Sequence, residues 1–123
     1  MRTIAFTAPA DMLNMNKPLH WAKKSAIAAE WRKAAYFYAK QSKMKNIGPT
    51  VVRVMFYVSD NRRRDPHNWA PTIKHIVDGC REAGFWDDDT AEWVSVVDPV
   101  FIVDKSRKGD VVVELHPMGT VNV

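Results

Sequence analysis

Four aspartates flank a single predicted helix that contains one lysine, and these residue types suit metal-dependent hydrolysis of a phosphodiester. Asp65 precedes the helix in the run RRRDPHN, Lys74 lies about one turn inside it, and Asp87, Asp88 and Asp89 follow it in AGFWDDD. Carboxylate oxygens suit Mg²⁺, which binds through one or two carboxylates together with substrate phosphate. Such an ion supplies activated water, and a nearby lysine stabilises the charge of the transition state.

Two simpler interpretations of the same residues stay open. An acidic turn after a helix is commonly exposed surface, and an aspartate beside three arginines is commonly paired with them. The helix also separates Asp65 from the acidic turn, because roughly fifteen residues at about 1.5 Å each span about 22 Å. We expect the loops at both ends to fold back and bring Asp65 to the acidic turn, since that turn leads into a neighbouring strand.

Charge is distributed unevenly along the 123 residues. Residues 1–64 hold 13 Lys and Arg against 3 Asp and Glu, whereas residues 65–123 hold 5 against 11. A basic surface attracts a phosphate backbone, and an acidic cluster beside it repels that polyanion unless a cation lies between them. The boundary at Arg64 and Asp65 therefore also indicates a metal ion next to nucleic acid. An inert dipolar surface is the alternative interpretation of these counts.

Other chemistries find little support in the sequence. Cys80 is the single cysteine, so an internal disulfide and a CxxC zinc site are excluded, and its place on an apolar helical stripe indicates a core residue. Neither a GxSxG motif nor a P-loop is present. His67 and Asn68 are also compatible with an HNH-like nuclease, but His75 and His116 lack the spacing that such a site needs. The N-terminal segment is apolar only in short bursts, so we expect no signal peptide, no membrane association and a cytoplasmic location.

Hydrophobic periodicity and the positions of Pro and Gly predict the elements that place these residues. We predict one domain over residues 1–123, with strand 2–8, loop 9–18, helix 19–45, strand 50–58, a helix from 68 to 83, a β-rich segment 91–103 interrupted at Pro99, a turn 106–109 and strand 110–116. The order β-α-β-α-β-β predicts an α+β or mixed α/β fold, with two helices packed on a small mixed sheet and a C-terminal hairpin.

Finer features of these elements also follow from the sequence. Strand 50–58 is apolar on both faces and is predicted to be central. Asn68 is predicted to cap the second helix and Gly84 to end it, with Phe85 and Trp86 folding back onto the helix. Two apolar stripes are expected in the core, one of Ile27, Trp31, Ala34, Ala35 and Tyr38, the other of Ile73, Ile76, Val77, Cys80 and Ala83.

The run RRRDPHN, the helical Lys74 and the following AGFWDDD together resemble the RusA family of Holliday-junction resolvases, small endodeoxyribonucleases common on phages and prophages. The likeness includes an early Pro/Asn loop, here PADMLNMN, before a basic helix, and so it extends over most of the chain. The resemblance implies a homodimer that binds four-way DNA junctions in recombination and repair. It further implies paired nicks made with Mg²⁺ or Mn²⁺ in a bacterial host cell, without a nucleotide cofactor.

The resemblance implies roles for individual residues. Asp65 matches the first catalytic aspartate, Lys74 the catalytic lysine, and Asp89 the metal-binding member of the acidic pair after GFW. Asp65, Asp88 and Asp89 are the implied carboxylate ligands. His67 stands where the family has a second aspartate, and three residues within WAPT lengthen the interval before Lys74. Two hypotheses follow. One is a working nuclease, either with His67 as a metal ligand or with His67 pointing away and Asp87 or Asp88 in its place. The other is a branched-DNA-binding protein whose degenerate site no longer cuts.

Several cations and aromatic residues are candidates for contact with DNA. Arg62, Arg63 and Arg64 are predicted to contact phosphates, and Lys17, His20, Lys23 and Lys24 are the next candidates. Asn68, which matches the motif asparagine, is also predicted to bind DNA. Trp69 and Trp86 are candidates for stacking on exposed bases, although the core is the preferred place for Trp86. Non-specific binding of nucleic acid by the basic half is the remaining alternative.

Overall fold

The computed structural model describes residues 1–13, 18–88 and 90–119, with the backbone alone at His67. The elements are β1 (Arg2–Thr7), α1 (Trp21–Gln41), β2 (Thr50–Val58), α2 (Ala70–Glu82), β3 (Val94–Val96), β4 (Val100–Val103) and β5 (Asp110–Pro117), with short 3₁₀ turns at Pro66–Trp69 and Lys105–Arg107. The predicted class of two helices on a mixed sheet is confirmed.

β2 is the central strand of the sheet, as its apolar sequence predicts. β5 pairs antiparallel with one edge of β2, and β1 pairs antiparallel with the far edge of β5. β3 and β4 pair parallel with the other edge of β2, one at Thr50–Val52 and the other at Met55–Val58. The gap between β3 and β4 contains Pro99, which has no N–H for a strand ladder, so the predicted interruption at Pro99 is confirmed, and it lies at an edge of the sheet.

The predicted C-terminal hairpin is wrong, because β5 does not pair with β4. The segment between them crosses the end of β2, where Asp104 N–H donates to Val58 O (2.9 Å) and Gly109 N–H donates to Tyr57 O (3.0 Å). β5 then runs between β1 and β2. A hairpin would leave one edge of the central strand and the inner edge of β1 without ladder partners, whereas the observed insertion satisfies both.

Both helices cover the same face of the sheet. The buried sheet residues alternate along each strand, as Ile4 and Phe6, Val52, Val54 and Phe56, and Val111, Val113 and Leu115. α1 buries Ile27, Trp31, Ala35 and Ala39, and α2 buries Ile73, Ile76, Val77 and Cys80 against them. Most of the predicted stripes is confirmed, except that Ala34 and Tyr38 are half-buried. The opposite face of the sheet carries no helix within the described chain.

The two helices run parallel and approach closely at Gly79. A Cβ atom at Gly79 would lie 2.4 Å from Arg32 O and 2.8 Å from Ala35 Cβ, so only glycine fits this crossing without a shift. Each helix follows one of two parallel strands, β1 and β2, and therefore starts at their carboxyl end. The starts of α1 and α2 consequently lie at the end of the sheet where β2 leads into RRRD.

The helix ends differ from the sequence prediction in one informative way. Asn68 does not cap α2: its backbone N–H donates to Asp65 O (3.1 Å) within the 3₁₀ turn, and Trp69 occupies the cap position without a side-chain cap bond. α1 begins after His20, whose Nδ1 accepts from Ala22 N–H (3.2 Å). Phe85 and Trp86 are buried after α2, as predicted.

Two further predictions concern single features. Burial of Cys80, which is 1% exposed, raises the pKa of its thiol to about 12, so the prediction of a core cysteine is confirmed. Across the described residues, no helix combines the length and the apolar character needed to cross a membrane.

Candidate functional site

The segment after β2 forms one wall of a wide groove at the carboxyl end of the sheet. This groove, called the arginine groove below, has a volume of about 750 Å³ and is lined by residues of segments 10–12, 57–69 and 108–109. Arg62, Arg63, Arg64 and Asp65 all contribute to it. The residues of RRRD, which are adjacent in sequence, therefore also share one concave surface.

Asp60 and Arg64 hold the shape of this loop. Arg64 Nη2 donates to Asp60 Oδ1 (3.1 Å), and Arg64 Nη1 donates to the backbone oxygens of Asp60 (3.2 Å) and Arg62 (3.1 Å). A hydrogen bond from Arg62 N–H, together with the Arg64 guanidinium, lowers the pKa of Asp60. The Arg64 side chain is only 11% exposed, so its guanidinium organises the loop, whereas a phosphate contact by Arg64 stays a prediction.

Arg62 and Arg63 have the accessible cationic side chains of the loop. Arg62 is 77% exposed at its side chain, with Nε 3.7 Å from Asp60 Oδ1, and Arg63 is exposed. Lys108 lines the same groove from the β4–β5 connection. Sequence reasoning missed Lys108, because its position beside the arginines depends on the crossing of that connection over the end of β2.

Asp65 lies at the junction between the arginines and α2. It is exposed, and its backbone oxygen anchors the 3₁₀ turn by accepting from Asn68 N–H. Asn68 also lines the arginine groove, and Trp69 closes one side of it with its ring 5.9 Å from that of Phe101. The structure therefore places Asp65 and Asn68 next to the cations, as the motif predicts, and it describes no side chain for His67.

Lys74 lines a second cavity, next to the arginine groove. This cavity, called the α2–β3 cavity below, has a volume of about 360 Å³ and includes Pro66, Lys74, Asp78 and Asp98 in its lining. Lys74 Nζ lies 3.8 Å from Asp78 Oδ2, and the lysine side chain is 68% exposed. Asp65 lines the arginine groove and Pro66, the next residue, lines the α2–β3 cavity. Asp78 and Asp98 are acidic neighbours of Lys74 that sequence reasoning did not single out.

The acidic turn after α2 lies at the opposite end of the sheet from Asp65. Trp86 Nε1 donates to Thr50 Oγ1 (3.0 Å) at the first residue of β2, and Ile47 N–H donates to Phe85 O (3.0 Å) just before it. β2 has nine residues, so its ends are roughly 26 Å apart at about 3.3 Å per residue. The expectation that loops bring Asp65 and Asp88 together within one chain is therefore wrong.

The oxygen donors at the two ends of the sheet, near Asp65 and near Asp88, only partly suit a hard divalent cation. Asp65 and the exposed Asp88 offer the carboxylate oxygens that Mg²⁺ prefers. Among the residues that the structure describes, no three His, Cys, Asp or Glu side chains gather into a metal-binding group. Asp89, the predicted metal-binding member of the pair, lies outside the described residues. Of the predicted ligands whose side chains the structure describes, Asp65 and Asp88 therefore lie at opposite ends of the sheet within one chain.

The start of α1 carries the other predicted phosphate contacts. Lys23 and Lys24 are exposed in its first turns, and the first turn contains no acidic residue. Lys17 lies outside the described residues. Of the two tryptophans considered for base stacking, Trp86 is buried, as preferred, and Trp69 is half-buried. The tryptophan that is most exposed is Trp21, which sequence reasoning did not select.

A separate charged cluster lies on the face of the sheet that carries no helix. Arg53 Nε and Nη2 both lie 2.8 Å from Glu114 Oε1, and His116 Nε2 lies 3.1 Å from the same oxygen. Burial of Glu114 opposes its ionisation, but the bonds from His116 and Arg53 outweigh burial, so the pKa of Glu114 is lowered. His116 thus belongs to a cluster around Glu114, which pairs across the strands with Arg53, rather than to the candidate site.

A comparison of the sequence with protein-family models finds no match, and a comparison with curated proteins finds none either.

Proposed function

We propose that this chain is a metal-dependent, structure-selective endodeoxyribonuclease that makes paired nicks in four-way DNA junctions, as its resemblance to the RusA family implies. The observation that supports the proposal most is that Asp65 lines the same groove as Arg62 and Arg63. Exposed arginines beside an exposed carboxylate can hold a phosphodiester next to a ligand for a divalent ion. An inert acidic or basic surface would not need both in one concavity.

The residues in the arginine groove and Lys74 have different tasks in this proposal. Arg62, Arg63 and Lys108 attract and position the DNA backbone. Asp65 contributes to binding of Mg²⁺ or Mn²⁺, which supplies activated water and neutralises charge on the phosphate. The Lys74 side chain is long and mostly exposed, and it lines the α2–β3 cavity rather than the arginine groove. We assign it to the phosphate charge that develops as the bond breaks.

The separation of the two acidic groups supports a homodimer as the active form. A two-fold axis makes each contact occur twice, so it can place the Asp65 end of one copy beside the acidic turn of its partner at two equivalent positions. The two resulting sites match the two symmetric strand cuts that resolution of a junction requires. In this arrangement each site combines Asp65 of one copy with Asp88 and Asp89 from the partner.

Cleavage of a synthetic four-way junction with Mg²⁺ or Mn²⁺ tests the proposed activity. We expect Asp65→Asn to reduce the nicking rate by more than about 100-fold, because the bound metal contributes several kcal/mol of transition-state stabilisation. Asp11→Asn is the matched control, since Asp11 is an exposed aspartate of the same groove outside the motif. Equal nicking by the native chain and Asp65→Asn would rule out the assignment of Asp65.

Mixing two inactive variants tests the shared site. If the residues combine across a dimer, Asp65→Asn and Asp89→Asn together form mixed dimers with one intact site and one doubly substituted site. We expect the mixture to nick one strand of each junction although neither variant does so alone. If each chain held a complete site, every site in the mixed dimer would carry a substitution, and the mixture would stay inactive.

A junction-binding protein that does not cut is the second candidate. It is favoured by His67, which stands at the position of a second acidic ligand, and by the separation of Asp65 from Asp88. This candidate predicts tight junction binding in the presence of a chelator, with no nicking by the native chain under any divalent ion. Recovery of nicking by His67→Asp would then identify the lost ligand, whereas robust nicking by the native chain excludes this candidate.

A further inference from the structure

We propose that Trp21 is a base-stacking residue that engages an exposed nucleobase where DNA branches. This inference rests on the proposed function, since it assigns the part of the protein that distinguishes a branch from a continuous duplex. Bases within a duplex are already stacked on their neighbours, whereas bases at a branch point can unstack and present a face. An exposed indole is a suitable partner for such a face, because aromatic side chains stack on any base.

Trp21 is unusual among the five tryptophans of the chain. It is 76% exposed, whereas Trp31 and Trp86 are 0% and 3% exposed. A tryptophan on the surface does not contribute the apolar burial by which Trp31 and Trp86 stabilise the fold. Its ring lies 5.7 Å from that of His20, at a tilt of 32°. His20 in turn is held at the helix start by accepting from Ala22 N–H. The indole is therefore presented at an ordered helix start.

The charges around Trp21 complement DNA. Lys23 and Lys24 follow it and are exposed, the first turn of α1 contains no acidic residue, and the first acidic residue of the helix is Glu30. A stacked base is joined to phosphates on both sides, so cations beside the indole favour a nucleotide as the occupant. An apolar protein surface would not call for two lysines next to its contact.

The position of Trp21 fits one DNA substrate that also occupies the arginine groove. Trp31 Nε1 donates to Asp11 O (2.9 Å), and Asp11 lines that groove. Ten residues of helix separate Trp21 from Trp31, which is about 15 Å. This distance equals roughly four base steps of a duplex strand at about 3.4 Å each. Trp21 therefore lies about 15 Å along α1 from the residue that contacts this wall of the groove, a distance that one arm of a junction can bridge.

The test compares the binding of Trp21 variants to a four-way junction and to a linear duplex of the same sequence, at matched salt and with a chelator. We expect Trp21→Ala to weaken junction binding by about 5- to 150-fold, the range for loss of one base–aromatic stack, and duplex binding by less than about 2-fold. Trp21→Phe should retain most of the junction affinity, whereas Trp21→Leu should not. Phe37→Ala is the matched control, because Phe37 is 57% exposed on the same helix but about 24 Å from Trp21.

A spectroscopic readout separates stacking from a general loss of affinity. The difference in fluorescence between the native chain and Trp21→Phe isolates the Trp21 signal, and we expect junction DNA to quench it and linear duplex to leave it unchanged. Equal losses on both DNAs, or retention of affinity by Trp21→Leu, would overturn base stacking. So would a Trp21→Ala variant that fails to dimerise, since it would assign Trp21 to an interface between copies.

The outcome for Trp21 can be distinguished from that for nuclease activity. If the native chain nicks junctions and Trp21→Ala binds them normally, the stacking proposal alone fails. If the native chain binds junctions through Trp21 but never nicks them, the nuclease proposal fails and the stacking proposal stands.

Discussion

The close crossing of α1 and α2 at Gly79 sets the positions of both helix starts, and Gly79→Ala tests it. The added Cβ would lie 2.4 Å from Arg32 O, 2.8 Å from Ala35 Cβ and 2.9 Å from Tyr36 N. Two of these neighbours are backbone atoms that cannot rotate away, so we expect the upper part of the overpacking range, about 3 kcal/mol. Alanine regains about 1 kcal/mol of helix propensity over glycine. The net loss in the free energy of unfolding is therefore about 2 kcal/mol.

Thermal unfolding followed by circular dichroism measures this loss. With 123 residues and an unfolding entropy of about 2.1 cal/mol/K per residue, a loss of about 2 kcal/mol lowers Tm by about 8 °C. Glu82→Ala is the control on the same helix, because Glu82 is exposed and its ion pair with Arg32 is long at 3.8 Å. A Tm for Gly79→Ala at or above the native value would refute the close crossing, since helix propensity alone would then decide the outcome.

Three further predictions concern the buried carboxylate, the loop before α1 and the arginine groove. Glu114→Gln should lower the free energy of unfolding at neutral pH by about 1–2 kcal/mol. Because the folded pKa of Glu114 is lowered, its contribution is present above the ordinary value of 4.5 and is lost as the pH falls through the lowered pKa, so the variant should show a flatter acid limb in urea titrations. Thr72→Val should cost about 2–3 kcal/mol, since buried Thr72 Oγ1 accepts from Leu13 N–H (2.8 Å) and donates to Leu13 O (3.1 Å), whereas Thr72→Ser should keep most of the stability. Arg63→Ala should reduce the slope of log K against log salt for DNA binding by about 0.9, and an unchanged slope would exclude a phosphate contact there.

Local features of the fold were predictable because they depend on residues close in sequence. The apolar run of β2, the stripe of α2 and the interruption at Pro99 each follow from the hydrophobic pattern or from the missing N–H of proline. The pairing of β5 was not predictable in the same way. Its residues alternate equally well in a hairpin with β4 or inserted between β1 and β2, and only the unpaired edges of those distant strands decide between the two.

In the candidate site, too, features set by residues close in sequence were predictable, and those set by distant residues were not. Arg62, Arg63 and Asp65 are neighbours in the chain, so their shared groove follows from the motif. The distance between Asp65 and Asp88 depends on the direction of α2 along the sheet, and the sequence spacing alone left it undecided. The exposure of Trp21 was predictable, because the apolar stripe of α1 includes Trp31 and omits Trp21, but its ordered place against His20 at the helix start was not.

Resolution of a cruciform in a supercoiled plasmid tests the central claim most directly. The account predicts that the native chain with Mg²⁺ or Mn²⁺ converts the cruciform plasmid to a linear product, because two coordinated nicks in opposed strands linearise it. Asp65→Asn should leave the plasmid supercoiled while still binding the cruciform. Absence of cleavage by the native chain with either ion, or the same linear product from Asp65→Asn, would contradict the account.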